Sequence, residues 1–322
     1  MNIKEKWLGI LGRLNVSKSN GSKGIAPNKP LLLLSIIDLV EAGKVGVNGL
    51  VVKDAELVLR FRSYSPICVK RRGNKIDLDL PFRYLASDGI YTPVGKDERE
   101  VILNPEFLAL LSDPGFRLKV RKVLVSTYFT ANEQVGLCNA LNISTLTSTE
   151  IAEIKEDAEE YRIQVTRGRD ARFAVQVISG YHFTCALTGY RLNSDSGFNL
   201  LEAAHIQAHS KRGPDVPENG LALTPTAHEM FDAFLWTVSD DFKVIVPEKR
   251  FKESVSLGGE HFKLGDRHGR KLCFHGQAQL RPAREYLKWH RNACGAREGT
   301  RGQGDTVTRG NKLRGQVGNV TR

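Results

Sequence analysis

A chain of 322 residues, 41% of them hydrophobic, is long enough for two modest domains and too apolar to be disordered throughout. Its formal net charge of +11 points to a polyanionic partner, because clustered Lys and Arg gain free energy by displacing counterions from phosphates. No run reaches the roughly 18 apolar residues of a membrane span, and the start MNIKEKWLGI lacks a signal-peptide pattern, so a cytoplasmic protein without membrane contact is expected. Five widely spaced cysteines without a C-x-x-C pair argue against a disulfide framework and a four-cysteine zinc site.

Taken in chain order, residues 1–141 read as a first domain of mixed α and β character. Its strongest helix spans Lys29 to Ala42, with Pro30 near its start and Gly43 past its end, and is apolar nearly all round, as a core helix would be. Two short aromatic runs in DLPFRYLASDGIYTPV flank Asp88-Gly89, which predicts a hairpin turn there. The basic tract at 70–75, including Arg71 and Arg72, is expected to track DNA phosphates together with Arg60 and Arg62. Arg117, Lys119, Arg121 and Lys122 would extend that surface if they share its face.

Residues 142–170 carry Ser/Thr candidates for helix caps and then a charged helix with little apolar face, read as a helical connector. A second domain at 171–294 follows, with a helix ARFAVQVISGY, short strands, a helix around His228 and a closing helix REYLKWHR. The Gly- and Arg-rich tail 295–322 has almost no large apolar side chains, so a disordered basic tail is expected.

The second domain carries the chemistry. LLEAAHI reads as a strand ending at His205, and the following loop holds Gly213-Pro214, Pro217 and Asn219-Gly220. A helix then starts at Thr224-Pro225 and presents His228 in its first turns. This strand, loop and helix order resembles the ββα-metal fold of HNH nucleases. The similarity is closest to the HNH_2-type domains of bacterial restriction endonucleases, through FTCALTGYR, EAAHI, NGLALTPTAHEMFD, FKVIV and EYLKWHR, over about residues 173 to 292. It implies that His205 is the general base, Asn219 the loop-fixing amide and His228 a ligand of one divalent metal, Mg²⁺ or Mn²⁺. Phosphodiester hydrolysis needs those types: a neutral imidazole accepts a proton from water, and a metal offsets charge on the leaving oxygen. Many such sites carry an Asp before the base, and here that position is Ala204. Glu202 is the favoured replacement ligand, with His209 and Asp232 as competitors. Some relatives hold a structural zinc with a C-x-x-C pair at Cys185 to Thr188; the second cysteine is missing, so no structural zinc is expected.

The N-terminal half also resembles a known module. APNKPLLLLSIIDLVE and LPFRYLASDGIYTPV are similar to the sulfur-binding domain of type IV restriction enzymes, over about residues 20 to 100. That resemblance implies recognition of phosphorothioated DNA through Asn28, Lys29, Pro30, Leu80, Pro81, Phe82 and Tyr84, with Lys29 as the cation. Sulfur is larger and more weakly hydrated than oxygen, so an apolar dimple accepts it at lower desolvation cost.

The expected fold class is α+β: a mixed α/β DNA-recognition domain, a ββα-metal HNH nuclease domain and a disordered basic tail. The expected function is modification-dependent cleavage of double-stranded DNA, with a homodimer supplying two cuts. Competing readings are an HNH enzyme that reads methylated or unmodified DNA, and a DNA-binding protein with a degenerate HNH fold.

Overall fold

The computed structural model describes residues 2–16, 25–68, 78–95, 99–144, 158–192, 194, 197–247, 251–254, 262–274 and 280–295. Helix α1 (Ile3–Leu11) opens with a capping box in which Asn2 and Glu5 exchange hydrogen bonds with each other's backbone amides. Helix α2 (Asn28–Glu41) is buried from Lys29 through Ile37 and at Leu39, as its all-round apolar character predicts. Around it pack α3 (Ala55–Tyr64), α4 (Asp79–Tyr84), α5 (Pro105–Leu111), α6 (Pro114–Tyr128) and α7 (Ala131–Leu141). A three-stranded antiparallel sheet of order β1-β3-β2 completes this half, from β1 (Leu50–Val52), β2 (Tyr91–Val94) and β3 (Glu100–Leu103). Asp54, Asn104, Asp113 and Thr130 cap the helices that follow them through side-chain oxygens.

Two expectations are corrected. Asp88-Gly89 does not turn a hairpin: DLPFRY is helical, a 3-10 turn runs over Leu85–Asp88, and Gly89 ends it at φ 72°. An Asp-Gly pair supplies positive φ to a helix end as well as to a turn, and the burial of Pro81, Phe82 and Leu85 follows helical rather than alternating spacing. The hairpin lies further on, between β2 and β3.

The charged segment before residue 170 and ARFAVQVISGY are one helix, α8 (Ala158–Gly180). It packs along α7 because both helices present a glycine at the crossing. A Cβ on Gly168 would sit 2.2 Å from the Gly136 carbonyl oxygen, so the backbones touch and a broad apolar face is not needed. The same helix joins the two halves. Ala171 belongs to the N-terminal core and Phe173 to the C-terminal one, while Leu59 of α3 packs into the C-terminal core. Ser179 donates to Glu56 of α3 at 2.8 Å.

The C-terminal half contains the antiparallel pair β4 (Glu202–His205) and β5 (Gly220–Leu223), helix α9 (Pro225–Asp232), the short pair β6 (Thr237–Val238) and β7 (Val244–Ile245), and α10 (Arg284–Cys294). The expected tail lies outside the described residues from 296 onward, as do Arg71 and Arg72. Among the described residues no helix is long and apolar enough to cross a membrane.

The basic surface expected around Arg60 and Arg121 also needs correction. Arg60 is 4% exposed and pairs with Glu56, and Arg121 is 5% exposed and pairs with Asp38 and with Glu41 at 2.6 Å. Arg117 lies 3.7 Å from Glu41 and donates to the Leu111 carbonyl, and Arg62 lies over the Phe198 ring. Guanidinium groups forced into the interior by the helical register find carboxylates there. Lys119 and Lys122 are exposed.

Candidate active site

The hairpin of β4 and β5 pairs Glu202 with Leu223, Ala204 with Leu221 and His205 with Gly220. The loop between the strands returns through Asn219, and α9 begins at Pro225 directly after β5. Pro225 occupies the first helical position as expected. Thr224 is the N-cap residue in extended conformation, but its hydroxyl makes no capping bond; its amide donates to Cys185 Sγ at 3.5 Å. Cys185 thus sits buried at the start of α9.

Asn219 is fully buried and ties the loop together. Its Oδ1 accepts from Gln207 N at 2.9 Å, and its Nδ2 donates to the carbonyls of Gln207 at 3.0 Å and Pro214 at 2.9 Å. Its own carbonyl accepts from Ile206 N, the residue after His205, at 2.9 Å. An amide alone offers one acceptor and two donors in a plane, which is why this position uses Asn.

His205 is held on two sides. Its ring stacks on Phe173 of α8, with centroids 3.9 Å apart and planes 7° apart. Its Nε2 lies 2.9 Å from Asp215 Oδ1. The other Asp215 oxygen lies 3.6 Å from Arg169 Nε and 3.8 Å from His209 Nε2. Burial pushes the nearby Asp170 carboxyl up, and the negative charge of Asp215 adds to the shift. Phe173, Arg169 and Asp170 escape the sequence reading because they reach His205 from α8 through tertiary packing, and Asp215 escapes it because turn residues in the β4–β5 loop do not show which side chain folds back on the strand.

His228 projects from α9 between two carboxylates. Its Nδ1 is 2.8 Å from Glu202 Oε2, and its Nε2 is 3.6 Å from Asp232 Oδ2. Ala204 is fully buried, so a carboxylate there would face the core; the acid beside His228 comes from Glu202 two positions earlier. His209 stands on the Asp215 side. Burial raises the Asp232 carboxyl, and Glu229 and Glu202 push the same way against His228 and His205.

The two nitrogens of one imidazole point apart, so Glu202 and Asp232 flank His228 on different edges. Accordingly, among the described residues no three His, Cys, Asp or Glu side chains converge on one point. Mg²⁺ and Mn²⁺ do not require a full protein cage: one or two protein ligands suffice, with water and phosphate oxygens completing the octahedron. His228 with one adjacent carboxylate fits such an ion, and the crowding of Glu202 and Glu229 around Asp232 suits a cation.

A second feature lies in the N-terminal half. A cavity of about 370 Å³ is lined by Asn15, Val16, Ala26, Asn28, Lys29, Leu80, Pro81, Tyr84 and Ser87. Five of the seven residues singled out for sulfur recognition therefore meet around one space. Pro30 and Phe82 do not line it; both are buried, and the Phe82 ring packs on Tyr91. Lys29 Nζ lies 2.6 Å from Asp88 Oδ2, with both side chains at 10% exposure or less, so its charge is already matched.

Residues 185–239 match the family model of the HNH endonuclease domain HNH_2. Among solved structures, the modification dependent TagI restriction endonuclease is similar at 22% identity and a TM-score of 0.30, over 38% of this chain and 37% of that one. The chain thus spans little more than a third of the length of that enzyme. No curated protein matches the sequence. The loop and hairpin around His205 and Asn219 and the helix bearing His228 all fall within the matched segment, and this chain carries an HNH endonuclease domain at residues 185–239.

Proposed function

We propose that the protein is a modification-dependent DNA endonuclease. In this reading the N-terminal cavity takes a phosphorothioate of double-stranded DNA, and the HNH domain hydrolyses phosphodiester bonds. The observation that carries the sulfur reading is the cavity itself, because Asn28 and Lys29 meet Leu80, Pro81 and Tyr84 across about fifty residues of chain. Its walls include Val16, Leu80, Pro81 and Tyr84, and Leu80 and Tyr84 are each 54% exposed despite their size. The N-terminus of α2, which has no side-chain cap, contributes the positive end of its dipole. Apolar walls beside a partial positive charge suit an anion whose sulfur is weakly hydrated. The pairing of Lys29 with Asp88 sharpens that preference, since a free ammonium would favour any phosphate equally.

In the HNH domain, His205 takes a proton from water, and the resulting hydroxide attacks phosphorus as the bond to the 3′ oxygen breaks. Asn219 holds the loop that carries His205. His228, with Glu202 or Asp232, would hold one divalent metal, which offsets charge on the phosphoryl and leaving oxygens. Because one such site cuts one strand, a homodimer is the simplest source of a double-strand break.

The test compares matched phosphorothioated and unmodified plasmids with purified protein in Mg²⁺ or Mn²⁺, beside His205→Ala and an EDTA control. Cleavage of the modified plasmid alone, abolished by either control, is expected. Equal cleavage of both plasmids would remove the sulfur reader and keep the nuclease. Anisotropy of duplexes with and without a single phosphorothioate, in Ca²⁺, isolates the cavity: Leu80→Asp is expected to weaken binding of the modified duplex tenfold or more and leave the unmodified duplex within threefold.

A further inference from the structure

We infer that Asp215 is the positioning residue of the catalytic base: its carboxylate fixes the tautomer of His205 and balances the charge that His205 acquires during hydrolysis. The inference rests on the nuclease reading above. It begins from a contact that no motif announces, Asp215 Oδ1 at 2.9 Å from His205 Nε2. A carboxylate only accepts hydrogen bonds, so Nε2 carries the proton and Nδ1 keeps the lone pair. Of the two ring nitrogens, Nδ1 is then the one that takes the proton from water.

The surroundings are built to keep that arrangement. Phe173 lies flat on the imidazole at 3.9 Å, which prevents the ring from tilting away from Asp215. Asp215 itself is 9% exposed by side chain. Its second oxygen faces Arg169 at 3.6 Å and His209 at 3.8 Å, so a positive group stands behind the carboxylate when His205 is neutral. Among the described residues, Asp170 of α8 and Asp232 of α9 also interact with His205 through charge. Neither is within hydrogen-bonding distance of it among the described contacts, which leaves Asp215 as the group that selects a nitrogen.

In the hydrolytic step, the water O–H bond breaks and its proton passes to Nδ1. The water oxygen bonds to phosphorus, and the 3′ oxygen departs with the electron pair of the P–O bond. His205 is then an imidazolium with protons on both nitrogens, and the Nε2 proton still faces Asp215. The hydrogen bond to the carboxylate strengthens as that positive charge appears, and this added attraction belongs to the transition state. A ring with the opposite tautomer would present N–H to the water and could not accept.

The first measurement is the tautomer itself. Two-bond ¹H–¹⁵N correlation of the full-length protein, with His205→Ala identifying the resonance, is expected to show His205 as the Nε2–H form. An Nδ1–H form would overturn the inference whether or not any DNA is cut. The second is the division between kcat and KM for Asp215→Asn. The amide presents either an acceptor or a donor to Nε2, so the tautomer is no longer enforced. A fall in kcat of about a hundredfold or more is expected, with KM within threefold. Replacing the orienting carboxylate of a serine-protease triad by its amide costs about 10⁴ in kcat. Asp215→Glu is expected to recover a part of the loss and to restore the Nε2–H signal. Retention of kcat within threefold in Asp215→Asn, with a mixed tautomer, would overturn the catalytic importance of the contact. Failure of His205→Ala to reduce cleavage would instead refute the nuclease reading, and the tautomer result would stand apart from it.

Discussion

Asn219 allows the energetics of the loop to be worked from its contacts. Its side chain is fully buried and makes three hydrogen bonds at 2.9 to 3.0 Å, all to backbone groups of Gln207 and Pro214. Each is worth about 1 kcal/mol net, so Asn219→Ala strands three partners at a cost of about 3 kcal/mol. Connecting loops open at lower free energy than the strands they join, so the loss is expected in local opening rather than in the global midpoint. At about 1.4 kcal/mol per decade, hydrogen exchange at the Gln207 amide then accelerates by roughly a hundredfold. Asn219→Asp keeps the shape but places an oxygen where Nδ2 stood, facing two carbonyl oxygens. It is expected to cost at least as much as the alanine variant. Wild-type exchange at Gln207 in Asn219→Ala, or an aspartate variant as protected as the wild type, would refute the assignment of loop order to these bonds.

Gly168→Ala puts a Cβ 2.2 Å from the Gly136 carbonyl and 2.7 Å from Asn139 Cβ. It is expected to destabilise by about 2 kcal/mol or more, read as a lowered Tm, whereas Gly9→Ala, with no atom within 4 Å, leaves Tm unchanged or slightly raised. His290 is buried, with its ring 3.8 Å from Phe231 and Nδ1 2.8 Å from Thr237 Oγ1, and burial pushes its pKa from 6.5 down to about 4. A depressed histidine is neutral in the fold, so its contribution is complete above pH 6.5 and is lost as pH falls from 6.5 to 4. The loss of about 3 kcal/mol over that window is expected in urea titrations of the wild type and absent from His290→Gln.

The site was legible in sequence where its geometry is local. EAAH followed by a Gly- and Pro-rich loop and by Thr-Pro fixes strand, turn and helix within thirty residues, and the structure has these elements at Glu202–His205, Gly220–Leu223 and Pro225–Asp232. Ala204 looked like a missing ligand because a strand pattern does not say which face meets the core. Phe173 lies thirty-two residues before His205 on a helix brought to it by tertiary packing, and Asp215 lies ten residues after it in the β4–β5 loop, whose fold back onto His205 the turn residues alone do not show. The cavity residues of the N-terminal half were named from a resemblance, but the helical form of DLPFRY was not seen, since Asp-Gly serves a hairpin and a helix end equally. Arg60 and Arg121 read as surface charge because composition does not reveal a buried carboxylate partner such as Asp38.

The connector is the element whose meaning changed most. A polar helix without an apolar face reads as a spacer, yet α8 is anchored at its middle and at its C-terminal end by contacts that need little apolar surface. Gly168 meets Gly136 backbone to backbone, and Ser179 bonds to Glu56 on α3. Between those anchors the same helix carries Arg169 and Phe173, which hold Asp215 and the His205 ring. The boundary expected at 170/171 therefore cuts between two residues that support one imidazole. A fragment starting at 171 keeps His205, Asn219 and His228 but loses the guanidinium behind Asp215 and the crossing that fixes Phe173. The candidate site is in this sense continuous with the N-terminal half. Its geometry rests on the packing of α7 against α8, so a change that loosens that crossing is expected to be felt at His205 through Arg169 and Phe173.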